Sequence, residues 1–197
     1  VAQVAGNLLV GAPAAWAISR LRFRGRSMVR GLYIVLMLLP FQVTMVPSYL
    51  VLRQFGLLDT PWAIILPGIF STFPVFIMER SFDTVPREVL ESASIDGANQ
   101  WQRFWRIGIP LGIPGLISAL TLGFLDAWNA IEQPMTFLES PQYWPLSLFF
   151  TDPANLDTKQ LGLAMAASLW MLLPSILAFR FGQTYLEAGL TKGAVKG

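Results

Sequence analysis

Apolar residues gather in blocks close to twenty positions long, at about Val1–Ser19, Gly31–Leu52, Trp62–Met78, Leu111–Ile131 and Gln160–Phe181. A bilayer core about 30 Å thick takes roughly 20 apolar residues as one helix. The pattern therefore predicts an all-α chain with five membrane spans, at about 1–19, 31–52, 62–78, 111–131 and 160–181. No polar face of helical period runs through these blocks, which weighs against a soluble helical core. The first block is the weakest, because Gln3, Asn7 and Pro13 interrupt it. Pro40, Pro47, Pro67, Pro74 and Pro174 lie inside the others. Membrane helices tolerate such prolines where neighbours satisfy the freed carbonyls. The chain opens at Val1, inside an apolar run and without Met, so the expectation is a fragment whose natural N-terminus is missing.

Charge then orients the spans. The connection "RLRFRGRSMVR" carries Arg20, Arg22, Arg24, Arg26 and Arg30, and the long connection 79–110 carries Arg80, Arg87, Arg103 and Arg106. Arg180, Lys192 and Lys196 follow the last span. These three segments fall on one side of the alternating spans and hold twelve of the 14 basic residues. The other side has Arg53 and Lys159 beside Asp59, Glu132, Glu139, Asp152 and Asp157. The positive-inside rule puts loops 20–30 and 79–110 and the C-terminus in the cytoplasm. On the outer side, Tyr143, Trp144, Phe149 and Phe150 suit anchoring at the interface; capping an entrance or touching a soluble partner is the other reading.

Composition narrows the chemistry. There is no Cys and no His, which removes thiolate nucleophiles, thiolate metal sites and the commonest general base. No catalytic residue, cofactor site or metal site is expected, and a net charge of +2 gives no reason to expect nucleic acid. No GxxxxGK[ST] phosphate loop occurs; "GLTKGAVKG" has the wrong spacing and no preceding strand.

The connection 79–110 is unusually polar for this chain. "FDTVPREVLESASIDG" reads as a short helix, with capping oxygens at Asp83 and Thr84, Pro86 in its first turn and a left-handed stop at Gly97. "NQWQRFWRIGIP" reads as a second amphipathic piece, with Trp101, Phe104 and Trp105 toward the membrane and Pro110 at the entry to the next span. On these terms alone, a solvated interfacial loop and a docking surface are both open.

The full spacing sharpens this. Glu91-Ser92-Ala93, three residues, Gly97, nine residues, Ile107, one residue and Ile109-Pro110 resemble the "EAA…G…I-LP" signature of bacterial ABC importer membrane subunits. Ser92 and Ile109 are mild departures. "LRFRGR", "GLLDTPWAIILP", "VPREVLESASIDGA", "DAWN" and "GLTKGAVKG", taken in this order, resemble the carbohydrate-uptake, maltose-transporter-like permeases over essentially the whole chain.

The resemblance implies a type I ABC importer fold forming one transmembrane domain over 1–197, with a cytoplasmic coupling helix in the loop 79–110. It implies a separate ATP-binding subunit docked through Glu91, Ser92, Ala93, Asp96 and Gly97, with Ile107 and Pro110 tying the loop to the following span. It also implies a second, non-identical membrane subunit, an extracytoplasmic solute-binding protein and a sugar-type solute, in the inner membrane of a bacterium. The tail 189–197 would reach the ATPase pair or be a loose solvated end.

In the fourth span Ser118, Leu122, Asp126, Asn129 and Gln133 share an arc of ~80° at ~100° per residue. Asp126, Asn129 and Gln133 would line a wet path for hydroxylated solute, or act as polar glue between helices. The family pattern has a small residue where Asp126 stands and an Asp where Ala130 stands. Rival readings are an ABC permease for a non-sugar solute and a secondary transporter in which Asp126 couples protons or Na⁺.

Overall fold

The computed structural model describes residues 1–151 and 161–194, and every regular element among them is helical. In chain order these are α1 (Ala2–Arg20), α2 (Arg26–Leu38), α3 (Phe41–Gln54), α4 (Trp62–Ile69) and α5 (Thr72–Asp83). They continue with α6 (Arg87–Ile95), α7 (Gln100–Arg103), a π-helical turn over Phe104–Gly108, α8 (Ile109–Asn129), α9 (Glu132–Phe137), two 3-10 helices (Pro141–Tyr143 and Leu146–Thr151) and α10 (Leu161–Ala194). Asp152, Asp157, Lys159 and Lys196 lie outside the described residues, as do Gln160 and the tail from Val195.

Among the described residues three runs are long and apolar enough to cross a bilayer: Trp62–Asp83, Gln100–Asn129 and Leu161–Leu186. The stretch expected as one span over 31–52 is two helices, α2 and α3, bent by 104°. Pro40 explains the elbow. It supplies no N–H and pushes Leu39 into extended backbone, observed at ψ 125°. Counting the bent pair as one span gives four. The fifth expected span, α1, has 19 residues and is not among them. The fourth span, expected at 111–131, belongs to a continuous helical run from Gln100 that stops at Asn129.

The helices pack with α5 between α1 and α8, and α10 lies on α8. Their shared core is Ala12, Ala15 and Trp16 from α1, Val75, Met78 and Phe82 from α5, and Phe104, Leu116 and Ala119 beyond. Trp16 meets Phe82 edge-on with centroids 5.3 Å apart, and Phe104 closes the cluster at 5.8 Å from Trp16. Expected at a membrane face, Phe104 is instead fully buried, because the π-helical turn rotates it inward between Trp101 and Trp105.

Glycine lets these helices approach. A Cβ on Gly108 would lie 2.6 Å from the Trp16 ring, and one on Gly112 would lie 2.7 Å from Phe82. Gly115 lies closer still to Ser81, so the seam is the small-residue spacing typical of membrane helix contacts. Outside this core, Leu169, Trp170, Ile176 and Phe181 of α10 are exposed, as are Leu32, Val35 and Leu38 of α2. Such wide apolar exposure is expected where lipid replaces water as solvent.

The break between α4 and α5, at Phe70–Ser71, leaves backbone carbonyls without helical partners inside an apolar run. Asn7 of α1 supplies them: its side-chain amide donates to the carbonyls of Ile69 at 3.0 Å and Ser71 at 3.1 Å. A residue that only weakens the apolar block when read as sequence is therefore what seals a broken helix.

Candidate functional site

The segment 84–110 is built by local devices. Pro86 precedes α6 in extended conformation and Glu88 sits in the first turn, where the helix dipole favours an anion. At the other end Gly97 has φ +82°. The Ala98 N–H donates to the Ala93 carbonyl at 2.9 Å and the Gly97 N–H to that of Ser94 at 3.1 Å. These two bonds form a complete Schellman stop. Two residues later Asn99 and Gln102 exchange hydrogen bonds, Gln102 N–H to Asn99 Oδ1 at 2.9 Å and Asn99 N–H to Gln102 Oε1 at 2.8 Å. This capping box starts α7. The left-handed stop at Gly97 is as expected. Asp83 and Thr84, however, do not cap α6: Asp83 belongs to α5, and the Thr84 hydroxyl donates to the Ser81 carbonyl.

Glu91, Ser92, Asp96 and Gly97 are exposed, with Ile95 beside them at 87% exposure. Ala93 and Ile107 are half-buried, and Pro110 is exposed near the start of α8. Leu90, on the opposite side of α6, packs on the aromatic core. Thus α6 has one face committed to the protein and one presented outward. Pro110 lacks an N–H, and the Ile109 N–H reaches back five residues to the Phe104 carbonyl. The π-helical turn absorbs the proline without breaking the run into α8.

Long-range contacts set where α6 stands. The Arg20 guanidinium donates to the carbonyls of Phe82 and Val85, at the end of α5 and just before α6. Arg30 pairs with Glu79 and, at 2.9 Å, with Asp83, which also accepts from the Ser19 hydroxyl at 2.8 Å. Sequence reading used these arginines only to orient the spans. No local signal marks them as clamps, since their partners lie 49 to 65 residues away.

The polar stripe of α8 divides. Ser118 is buried, within hydrogen-bonding distance of the Pro114 carbonyl (2.8 Å) and of the Tyr185 carbonyl of α10 (2.9 Å), so it joins helices. Asp126 and Asn129 are both exposed one turn apart, and the Asn129 amide donates to the Leu125 carbonyl at 2.7 Å. Asp126 borders a small crevice with Gln3 and Asn7. Gln133 does not continue the arc, because α8 ends at Asn129, Ala130 is extended, and Gln133 belongs to α9. Trp128 donates its indole N–H to the Met171 carbonyl at 2.9 Å and stacks on Phe124, which holds it between α8 and α10.

On the opposite side Asp59 closes a second clamp. Its Oδ1 accepts from the N–H groups of Glu139 (2.9 Å) and Ser140 (2.7 Å), and its Oδ2 from the Ser140 hydroxyl. The Ser140 hydroxyl, then the Ser140 N–H, hold the Asp59 carboxyl below the ordinary aspartate range.

Among the described residues no group of His, Cys, Asp and Glu is placed to hold a metal ion. The arrangement is that of a helical membrane body with an outward-facing short helix on a polar loop.

Comparison with known proteins agrees. The chain is 33% identical over 192 residues to the inner membrane ABC transporter permease protein YcjP of Escherichia coli, covering 96% of this chain and 69% of that protein. It is 30% identical to the diacetylchitobiose uptake system permease protein DasC of Streptomyces coelicolor, covering 100% of this chain and 72% of DasC. It is also 30% identical to the trehalose transport system permease protein SugB of Mycobacterium tuberculosis, covering 96% of this chain and 71% of SugB. Residues 7–192 match the family described as the binding-protein-dependent transport system inner membrane component. The chain belongs to that family of ABC transporter permeases.

Proposed function

We propose that this chain is the transmembrane part of a permease subunit that docks a separate ATPase through α6 and helps form the path for a sugar or related hydroxylated solute. The observation that carries the reading is the two-faced α6, held by Leu90 and the Arg20 clamp on one side and open along Glu91, Ser92, Ile95 and Asp96 on the other. A helix fixed at its base and free on its outer face can transmit a partner's movement to α5 and α8 as a rigid displacement. Relatives named for trehalose and diacetylchitobiose uptake support the solute class.

In this reading the single transmembrane domain spans five times, with α2 and α3 forming one bent crossing and α1 another. Loops 20–30 and 79–110 and the C-terminus face the cytoplasm of a bacterium. A second, non-identical membrane subunit completes the path, an extracytoplasmic binding protein delivers the solute, and ATP is hydrolysed on the docked subunit. Glu91, Ser92, Ala93, Asp96 and Gly97 meet the ATPase, while Ile107 and Pro110 link the loop to α8. Asp126 and Asn129 line the path; Gln133 contributes from α9 instead of from the same stripe.

The test is co-purification of the full-length protein with its ATPase, followed by solute-stimulated ATP hydrolysis. Glu91→Lys and Gly97→Asp should release the ATPase; retained association and uptake would sink the docking role. Asp126→Ala should reduce uptake with the complex intact, and unchanged uptake would return that residue to packing. Uptake driven by an ion gradient without ATP would favour a secondary transporter. Because the chain has no Cys, single cysteines introduced at positions 24 and 95 can be labelled from either side to test the topology.

A further inference from the structure

A second concave site lies beside α6. Arg20, Arg22, Arg26, Arg87 and Arg103 line a cleft of about 600 Å³, in which Glu91 is the one lining carboxylate. A cleft of this size is ample for a headgroup-sized ligand. Two of the arginines are engaged: Arg20 with the carbonyls at the end of α5, and Arg26 with those of Ile18 and Ser19. Among the described residues the side chains of Arg22 and Arg87 have no hydrogen-bond or ion-pair partner. The Nε of Arg103 is buried and unpartnered.

Like charge accumulates here. Burial, opposed by Asp83, and then repulsion from Arg87 and Arg26 loosen the proton of Arg20. Asp83 itself is tied to Ser19 and Arg30, so it is not free to neutralise the cleft. Five guanidinium groups facing one carboxylate leave a strong positive excess, and planar guanidinium forks match phosphate oxygens in pairs.

The surroundings indicate where that phosphate comes from. Trp101 and Trp105, on the helical run that supplies Arg103, are 64% and 59% exposed. Phe23, which also lines the cleft, is 43% exposed. Exposed tryptophan next to arginine is the side-chain pairing of a membrane–water interface, and basic clusters at that depth attract anionic leaflets.

We propose that this cleft is a phosphate site that takes the headgroup of an anionic phospholipid, held by Arg22, Arg87 and Arg103. Occupation would bridge the 20–30 loop, α6 and α7 through one shared anion. The site thus makes the lipid a structural member of the same face that carries α6. The proposal rests on the chain being a membrane protein and not on ATPase docking, so the two fail separately.

The experiment uses the full-length permease in nanodiscs and follows phenylglyoxal modification of each arginine by mass spectrometry. In mixed phosphatidylcholine–phosphatidylglycerol discs, Arg22, Arg87 and Arg103 should react several-fold more slowly than in pure phosphatidylcholine. Arg24 and Arg80, outside the cleft, should react alike in both. Inorganic phosphate added to the phosphatidylcholine discs separates the sources. Protection by phosphate but not by phosphatidylglycerol overturns the lipid assignment, and protection by neither overturns the site. As a second measurement, Arg22→Gln with Arg103→Gln should lose bound phosphatidylglycerol in native mass spectra, whereas Arg24→Gln should keep it. Equal retention in both variants would refute the assignment, and the wild-type protection experiment stands if the double variant does not fold.

Discussion

The Arg20 guanidinium at the end of α1 donates to the Val85 carbonyl at 2.5 Å, reaching across to the residue that leads into α6. Charge-assisted bonds of this kind contribute about 1.5–3 kcal/mol each when well formed, and less where solvent reaches them. Arg20→Met keeps the apolar stem and removes the donors. It should lower the thermal stability of the permease modestly and reduce solute-stimulated ATP hydrolysis more than ATPase binding. Parallel melting and ATPase measurements check this; equal losses in binding and stimulation would mean the contact only stabilises.

The glycine seam makes a sharper stability prediction. Gly108→Ala drives a methyl into the Trp16 ring and Gly112→Ala drives one into Phe82, and overpacking of this kind costs about 1–3 kcal/mol. Gly31→Ala, in α2 with nothing within 4 Å, should instead stabilise by roughly 0.5–1 kcal/mol through lost backbone freedom in the unfolded chain. Urea or thermal unfolding in the same detergent ranks the three.

At Gly97 the constraint is conformational, since a Cβ there meets no atom within 4 Å. A side chain at φ +82° costs about 1–2 kcal/mol, and less for Asn. Gly97→Ala should therefore fray the end of α6 and weaken ATPase association, with Gly97→Asn intermediate. Hydrogen exchange at the Gly97 and Ala98 amides, which donate in the Schellman stop, reports the local loss directly.

The Asp59 clamp sets an acid limit on stability. The folded carboxyl is held below its ordinary range by Ser140. The ionised clamp therefore contributes fully above the ordinary aspartate pKa, and that contribution disappears as pH falls through the lowered folded value. Asp59→Asn keeps an acceptor, tolerates the φ of +53°, and should flatten this acid dependence. Asp59→Ala should destabilise at neutral pH as well. Melting temperature against pH for the three proteins gives the comparison, and an unchanged acid slope in Asp59→Asn would remove the clamp from the account.

What was legible in the sequence follows the range of the interactions. The short helix 87–95 and the stop at Gly97 depend on neighbours within a turn or two, and both appear close to expectation, whereas the apolar blocks mark helices without fixing where those helices bend or break. The capping box at Asn99 and Gln102 and the Gly108–Gly112 spacing are equally local, but charge and aromatic residues dominate the pattern around them. Pro40 was visible, but whether a proline is absorbed or makes an elbow depends on what packs there. α2 has no buried side chain to hold it straight, whereas the run through Pro110 and Pro114 is packed against α5. Asn7 and Arg20 act on carbonyls sixty residues away, and no local pattern announces that. The polar stripe reaches Gln133 only on an ideal helix, and the real α8 ends at Asn129.

The seam between α8 and its neighbours also fixes how this core can vary. Positions 108, 112 and 115 are already at the smallest residue, with Trp16, Phe82 and Ser81 against them. Variation across that interface is therefore one-sided: the glycine helix cannot gain volume, and the opposing helices can change only by shrinking or by compensating among themselves. Aligned variants of this core should show size covariation between positions 16, 82 and 104, with the glycine track silent beside them.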